Sequence, residues 1–192
     1  MGNKIVIIQG SPRKKGNTRA VTNIVIEAAK ENGAEVTEID ATALDFKEPG
    51  CIGCLKCQQS EEYKCALNDE VAAKVATLPE NDVIVLATPL YWWSYAAQLK
   101  IFVDRMFSLS KVYADDYKSL LVGKTLGIIA TAGGQYEGNL ELLESQWKKP
   151  AHMLGCKFLS CLFPSVSPNS SILNDSEAVV RAKESGRILA SA

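Results

Sequence analysis

A doubly wound α/β fold, with five parallel strands in the order 2-1-3-4-5 and helices on both faces, is predicted by three observations. Five short, β-rich apolar runs alternate with helical patterns along the 192 residues. That rhythm belongs to a parallel sheet covered by helices on both sides, in which the strands are buried. The segments richest in glycine, hydroxyl and aromatic residues follow the first, third and fourth runs, where the ligand crevice of such a sheet opens beyond the strand carboxyl ends. With 47% hydrophobic residues the chain can bury one full core, so a single domain over 1–192 is expected.

The elements follow in order. Ile5-Val6-Ile7-Ile8 marks the first strand, over 4–9. Gly10 to Thr18 is a loop, and Asn17 or Thr18 is expected to cap a helix over 17–32. A strand over 35–39 precedes a long connection from Asp40 to Leu67 with little periodicity, and loops of that length are usually functional. The remaining pattern gives a helix over 69–78, a strand over 82–88, a helix over 95–109 and a strand over 124–131. A helix over 139–152, a strand over 156–163 and a last helix near 176–189 complete it. There is no internal repeat, low-complexity tract or linker.

A formal net charge of -1 with 22% charged residues carries no bias toward nucleic acid or an anionic membrane, and neither partner is expected. The N-terminal apolar run is too short for a signal peptide and no segment reaches the length of a membrane span, so a cytoplasmic location is expected. Four of the six cysteines lie within 51–65, which in this context points to metal or redox chemistry before structural disulfides.

The stretch Gly10-Ser11-Pro12-Arg13-Lys14-Lys15-Gly16-Asn17-Thr18 is suited to a phosphate. Its backbone N–H groups, the Ser11 and Thr18 hydroxyls and the positive end of the following helix are expected to converge on one anion. The spacing is neither the G-x-x-x-x-G-K-[ST] of nucleoside triphosphate loops nor the G-x-G-x-x-G of dinucleotide folds. The bland alternative is a strand-turn-helix connection with solvated polar residues. After the third strand, Ala87-Thr88-Pro89-Leu90-Tyr91-Trp92-Trp93-Ser94 supplies aromatics able to wall a flat ring, or else to cover the sheet edge as core or interface. After the fourth, Thr131-Ala132-Gly133-Gly134-Gln135 lets the backbone approach a ligand closely, or is a plain turn. Three such loops at one edge favour a binding crevice.

These motifs, over residues 4 to 135, resemble the NADPH-dependent FMN reductase-like branch of the flavodoxin-like flavoproteins. The resemblance implies an FMN phosphate held by Ser11, Arg13, Gly16, Asn17 and Thr18, and a ribityl chain and isoalloxazine beside Pro89, Leu90, Tyr91 and Trp92. It places Thr131, Ala132, Gly133 and Gly134 at the polar edge of the ring. Leu99-Lys100-Ile101-Phe102-Val103-Asp104-Arg105 is similar to the family's L-K-x-F-x-D-R, on a helix that supports the site and the subunit contact. Its Leu99, Phe102, Val103 and Met106 also fit plain helical core spacing, with Asp104 or Arg105 in a local ion pair. One phosphate loop without a second glycine-rich motif favours FMN over FAD.

Cys51-Ile52-Gly53-Cys54-Leu55-Lys56-Cys57 with Cys65 reads C-x2-C-x2-C-x7-C. Four thiolates can close one [4Fe-4S] cluster, although the last spacing and the residue after Cys65 depart from the ferredoxin pattern. The segment looks like that of the iron-sulfur flavoproteins, a subgroup of the same family. A zinc site, and thiols or disulfides without metal, remain the alternatives.

His152, the only histidine, is expected at a helix end rather than in catalysis, and Cys156 and Cys161 as buried thiols of the fifth strand. Lys14 and Lys15 either add positive potential near the phosphate or are solvated. The resemblance implies an FMN-dependent oxidoreductase that takes hydride from NAD(P)H and passes electrons to a quinone, a nitro or azo compound, or another small acceptor. No residue-level acid-base catalysis is expected. The competing readings are an iron-sulfur flavoprotein relaying single electrons between ferredoxin-like partners, and a redox-sensing module. A homodimer or higher homo-oligomer is expected, with the aromatic run and the 95–109 helix at the contact.

Overall fold

The computed structural model describes residues 2–114 and 116–192. In chain order it contains β1 (Lys4–Gln9), α1 (Asn17–Glu31), β2 (Glu35–Asp40), the single turn α2 (Lys56–Gln59) and α3 (Glu70–Ala76). Then come β3 (Val83–Pro89), α4 (Ala97–Arg105) and two short strands, β4 (Ser110–Lys111) and β5 (Lys118–Ser119). The chain ends with β6 (Thr125–Thr131), α5 (Glu141–Met153), β7 (Lys157–Phe163) and α6 (Ser176–Ala190). The main sheet runs β2-β1-β3-β6-β7 with every pair parallel, the 2-1-3-4-5 order expected from the sequence. β4 and β5 pair in a separate antiparallel ribbon, which strands of two residues leave too little periodicity to foresee.

The apolar runs become strands because both of their faces are covered. Ile5 and Ile7 pack with Val21, Val25, Ala178 and Ala182 beneath α1 and α6, whereas Val6 and Ile8 face Val75, Leu99 and Phe102 on the other side. β3 and β6 are buried at every position, while the edge strand β2 is exposed or half-buried at most of its residues. α6 lies close on α1 at Gly186, where a Cβ would stand 2.5 Å from the Val25 carbonyl oxygen. Cys156 and Cys161 are buried as expected, and burial pushes the Cys161 thiol up to about 11.

The helix boundaries shift for identifiable reasons. The helix expected over 69–78 starts one residue later because Asp69 caps it, its side chain accepting from the Ala72 N–H at 2.9 Å. It stops before Pro79, which opens a 3-10 turn over Leu78–Glu80. The helix expected over 95–109 begins at Ala97 and tightens into a 3-10 turn over Met106–Leu109. The expected Asn17 or Thr18 cap on α1 is not formed: the N-cap is Gly16 and no side chain caps the helix. Asn17 is instead drawn to another loop. Its Nδ2 donates to the Ser167 and Ser170 carbonyls, both at 3.1 Å, and its Oδ1 accepts from Ile172 N–H at 3.0 Å.

Gln9 pairs with Ala87, Pro89 with Thr131 and Thr131 with Phe163, so four strands end near one level. The loops leaving β1, β3, β6 and β7 therefore meet along a single edge. Among the described residues no helix is long and apolar enough to cross a membrane.

Candidate functional site: a backbone-lined edge and a cysteine segment

The loop after β1 rises from Gly10, whose N–H donates to the Ala87 carbonyl at 2.7 Å. Gly16 closes it with an N–H bond of 2.9 Å to the Arg13 carbonyl, and a Cβ at Gly16 would stand 3.0 Å from the Arg13 Cβ. The first bond of α1 runs from Ala20 N–H to the Gly16 carbonyl. Among the described residues, the N–H groups of Ser11, Arg13, Lys14, Lys15, Asn17, Thr18 and Arg19 donate to no protein acceptor. An uncapped helix start fed by a tight loop is the geometry that takes an anion.

Ser11 is buried, its Oγ making only a long 3.4 Å bond to the Arg13 carbonyl. Arg13 is exposed. Thr18 turns inward and its Oγ1 meets Thr131 Oγ1 at 2.7 Å, so this hydroxyl joins the β1 and β6 loops while the N–H stays free. Lys14 is paired with Asp40, which Arg19 also holds at 2.7 Å. Burial raises the Asp40 pKa, but hydrogen bonds from Lys14, Thr42 and Arg19 outweigh it and hold the carboxyl well below its ordinary range. Lys14 is therefore committed to Asp40 and is not a free cation. Outside the loop a groove of about 630 Å³ runs between Arg13–Asn17 and the 168–173 segment.

The aromatic run forms a tight turn, with Tyr91 and Ser94 exchanging two backbone bonds of 3.0 and 3.1 Å. Its two central residues, Trp92 and Trp93, sit at φ 48° and 58°, in the left-handed region that favours glycine or asparagine. Trp92 is 90% exposed at the tip. Trp93 stacks edge-on against it, with ring centroids 5.3 Å apart, and donates Nε1–H to the Gly138 carbonyl at 2.8 Å. Ser94 and the Trp93 carbonyl both bond Gln146, and Leu90 N–H donates to the Thr131 carbonyl at 2.8 Å. Pro89 and Ala132 are buried, Leu90 is half-buried, and Tyr91, Gly133 and Gly134 are exposed. The expected residues of three loops thus stand along one edge, with the glycine pair and the aromatic turn open to solvent.

The cysteine segment, in the connection between β2 and α3, is built differently. Cys51, Cys54, Cys57 and Cys65 line one cavity with Ile52, Leu55, Leu67 and Arg105, and none of the six cysteines is in a disulfide. Cys51 and Cys54 are exposed, Cys57 buried and Cys65 half-buried. Gly50, Gly53, Leu55 and Asn68 have positive φ and coil the segment on itself. Among the described residues no three His, Cys, Asp or Glu side chains stand within reach of one ion. That spacing disfavours a single zinc, whose thiolates each sit about 2.3 Å from the metal. Four thiols around one cavity, two of them exposed, suit a wider cluster.

Sequence reasoning missed what holds this segment. The expected local ion pair is made by Asp104, with Lys100, whereas the Arg105 side chain is fully buried and its partners are distant in sequence. It donates Nε–H to the Gly50 carbonyl at 2.5 Å and Nη2–H to the Glu48 carbonyl at 2.7 Å. It also lies 3.2 Å from both Asp69 oxygens and 3.5 Å from Cys65 Sγ. Lys111 is buried and donates to the carbonyls of Cys57, Ser60 and Glu62 at 2.5, 2.6 and 2.7 Å. His152 is exposed in the last turn of α5.

A family model described as flavodoxin-like fold matches residues 3–184, and the chain belongs to this family. An iron-sulfur flavoprotein of Methanocaldococcus jannaschii is 39% identical over 102 residues, 53% of this chain and 51% of that protein. The chain thus spans about half the length of that relative. An NAD(P)H:quinone oxidoreductase of Methanothermobacter marburgensis superposes with a TM-score of 0.79 at 20% identity, over 98% of this chain and 96% of the other. An FMN-dependent NADH-azoreductase of Bacillus anthracis, solved with FMN, gives 0.71 at 17% identity, over 98% of this chain and all of that one (100%). At these identities the two superpositions establish the fold.

Proposed function

We propose that the chain is an FMN-dependent oxidoreductase that accepts hydride from NAD(P)H and passes electrons to a small acceptor such as a quinone. One observation carries the reading: the uncapped start of α1 and its loop leave seven N–H groups without protein acceptors, beside the solvent-open Gly133-Gly134 and Tyr91-Trp92 loops. The names of the relatives, which include an iron-sulfur flavoprotein, a quinone oxidoreductase and an FMN-dependent azoreductase, support it.

In this reading Ser11, Arg13, Gly16, Asn17 and Thr18 hold the flavin phosphate, mainly through backbone N–H groups. Asn17 and Thr18 also fix the loop by clasping 167–172 and Thr131. Pro89, Leu90, Tyr91 and Trp92 line one side of the ring, and Thr131 to Gly134 the other. When bound, the flavin supplies the electron chemistry, and the protein binds and orients it. No side chain is assigned proton transfer. The protein acts without nucleic acid or membrane, in the cytoplasm. Trp92, exposed on a strained turn, supports a homodimer in which a second subunit covers the aromatic turn and the adjoining α4.

The test is an ultraviolet-visible spectrum of anaerobically purified protein, chromatography of the extracted flavin, and oxidation of NADPH with a quinone. One FMN per chain and quinone-dependent turnover are expected; FAD, or no affinity for flavin, overturns the reading. The four cysteines around one cavity favour a second reading, an iron-sulfur flavoprotein relaying single electrons between redox proteins. Full iron and sulfide occupancy with negligible NADPH oxidation would select it.

A further inference from the structure

We infer that the cysteine segment is a half-fixed site: the buried cations Arg105 and Lys111 hold Cys65 and Cys57 in place before any metal arrives, and an exposed arm carrying Cys51 and Cys54 closes onto an iron-sulfur group to complete it. The inference rests on the reading of these cysteines as cluster ligands and adds the residues that preform the site.

Arg105 gathers both ends of the segment. Its bonds to the Glu48 and Gly50 carbonyls fix the chain before Cys51, and its fork on Asp69 and its contact with Cys65 Sγ fix the chain after it. Lys111 fixes the middle through three carbonyls, with its ammonium 4.7 Å from the Tyr63 ring centre. Gln58 reinforces this by donating to the Ser110 carbonyl at 2.8 Å and accepting from Val112 N–H at 2.9 Å. None of these bonds reaches residues 51–56, which are all exposed. Left-handed Gly53 and Leu55 give that arm its turns, and the arm, bonded to neither buried cation, is the part free to move.

The charge arrangement agrees. Asp69 neutralises Arg105, whereas among the described residues Lys111 has carbonyl partners and no carboxylate, which leaves one positive charge beside the Cys57 backbone. A [4Fe-4S] core of charge two plus held by four thiolates is a dianion, and taking up one electron makes it a trianion. A fixed buried cation favours the bound group over its absence, and the reduced form over the oxidised one.

The test is alkylation of the metal-free chain with iodoacetamide, read residue by residue by mass spectrometry. Cys51 and Cys54 should react about tenfold faster than Cys57 and Cys65, because only the latter need local opening. Arg105→Gln should raise the rate at Cys65 and leave Cys57 slow; Lys111→Met should do the reverse. FMN binding by each variant reports that the rest of the chain is folded. After anaerobic reconstitution with iron and sulfide, all four cysteines should be protected, and Lys111→Met should move the cluster potential negative by about 59 mV, a tenfold change for one electron. Equal rates at all four cysteines, or rates indifferent to both substitutions, overturn the inference. Should a variant fail to bind FMN, the wild-type order of rates and the milder Arg105→Lys decide. If the wild-type order holds but no iron is taken up, the cluster reading fails and the half-fixed geometry stands.

Discussion

Along the β1–α1 loop the groups left without a protein partner are backbone N–H groups, and side chains such as Asn17 and Thr18 serve to hold that backbone in place. From Glu48 to Asp69 the roles are exchanged: the backbone offers its carbonyls to two buried cations, and side-chain thiols face the cavity. The first region borrows its rigidity from the sheet edge, where four strands end together. The second has only one helical turn of its own and takes its shape from residues of α4 and β4. A site made of backbone tolerates the loss of single side chains, whereas a loop hung on a buried charge does not.

The largest effect that tests this contrast is expected at Arg105. Arg105→Met removes a fully buried guanidinium and leaves the Asp69 side chain, 4% exposed, without its partner. Breaking such a pair should cost about 3–5 kcal/mol in urea unfolding. The matching change at the other region, Lys14→Met, deletes a mostly exposed partner of Asp40 and should cost at most about 1 kcal/mol. Similar costs for the two would erase the distinction.

Thr18→Val comes next, because it tests whether this side chain acts on the fold or on the ligand. It leaves Thr131 Oγ1 without its buried partner and should lower stability by about 1–3 kcal/mol. The N–H of Thr18 is untouched, so FMN affinity, measured by fluorescence titration at a temperature where the variant is fully folded, should fall by less than tenfold. A larger loss would mean that the hydroxyl itself reaches the phosphate.

The strand order was legible because the central apolar runs are covered on both faces, and the β1–α1 loop because its composition follows such a run directly. The position of the four cysteines was legible for the same local reason. Arg105 and Lys111 were not, since they act on residues 55 and 54 positions away along the chain. Arg105 in particular sits among Leu99, Phe102 and Met106 in a helical core pattern that makes no mention of distant carbonyls. The Asn17 cap was misread because a residue competent to cap a helix start is equally competent to clasp a neighbouring loop, and only the fold places 167–172 within its reach.

A smaller effect is expected at Trp92, where the backbone-built edge carries strain. Trp92→Gly relieves a left-handed conformation that costs a bulky residue about 1–2 kcal/mol, but it enlarges the entropy of the unfolded chain by about 0.5–1 kcal/mol. The net should be a stabilisation of about 0–1.5 kcal/mol, measured in dilute protein where subunits are dissociated. Sedimentation at higher concentration should show weakened self-association. A destabilised monomer would show that the turn is held by its indole contacts instead of straining against them.

The smallest expected effect separates the two regions by pH and salt. Asp40 and Asp69 both have folded-state carboxyls held below the ordinary value of 3.8: burial raises each, and hydrogen bonds from Lys14, Thr42 and Arg19, or from Lys47, Ala72 and Arg105, outweigh it. A depressed folded pKa contributes stability that is fully present above the unfolded value and is lost as pH falls through the folded one. Stability should therefore be insensitive to these groups above about pH 5 and decline below about pH 4. Asp40 is 30% exposed, so its share is at most about 1 kcal/mol and should vanish in high salt. Asp69 lies against Arg105 away from water, and its share should survive the same salt. The measurement is unfolding free energy against pH, at low and high salt, for wild type, Asp40→Asn and Asp69→Asn. In high salt the Asp40→Asn curve should merge with wild type while the Asp69→Asn curve stays below it. If both merge, the cysteine segment is anchored by nothing stronger than a surface ion pair, and the contrast between the two regions fails.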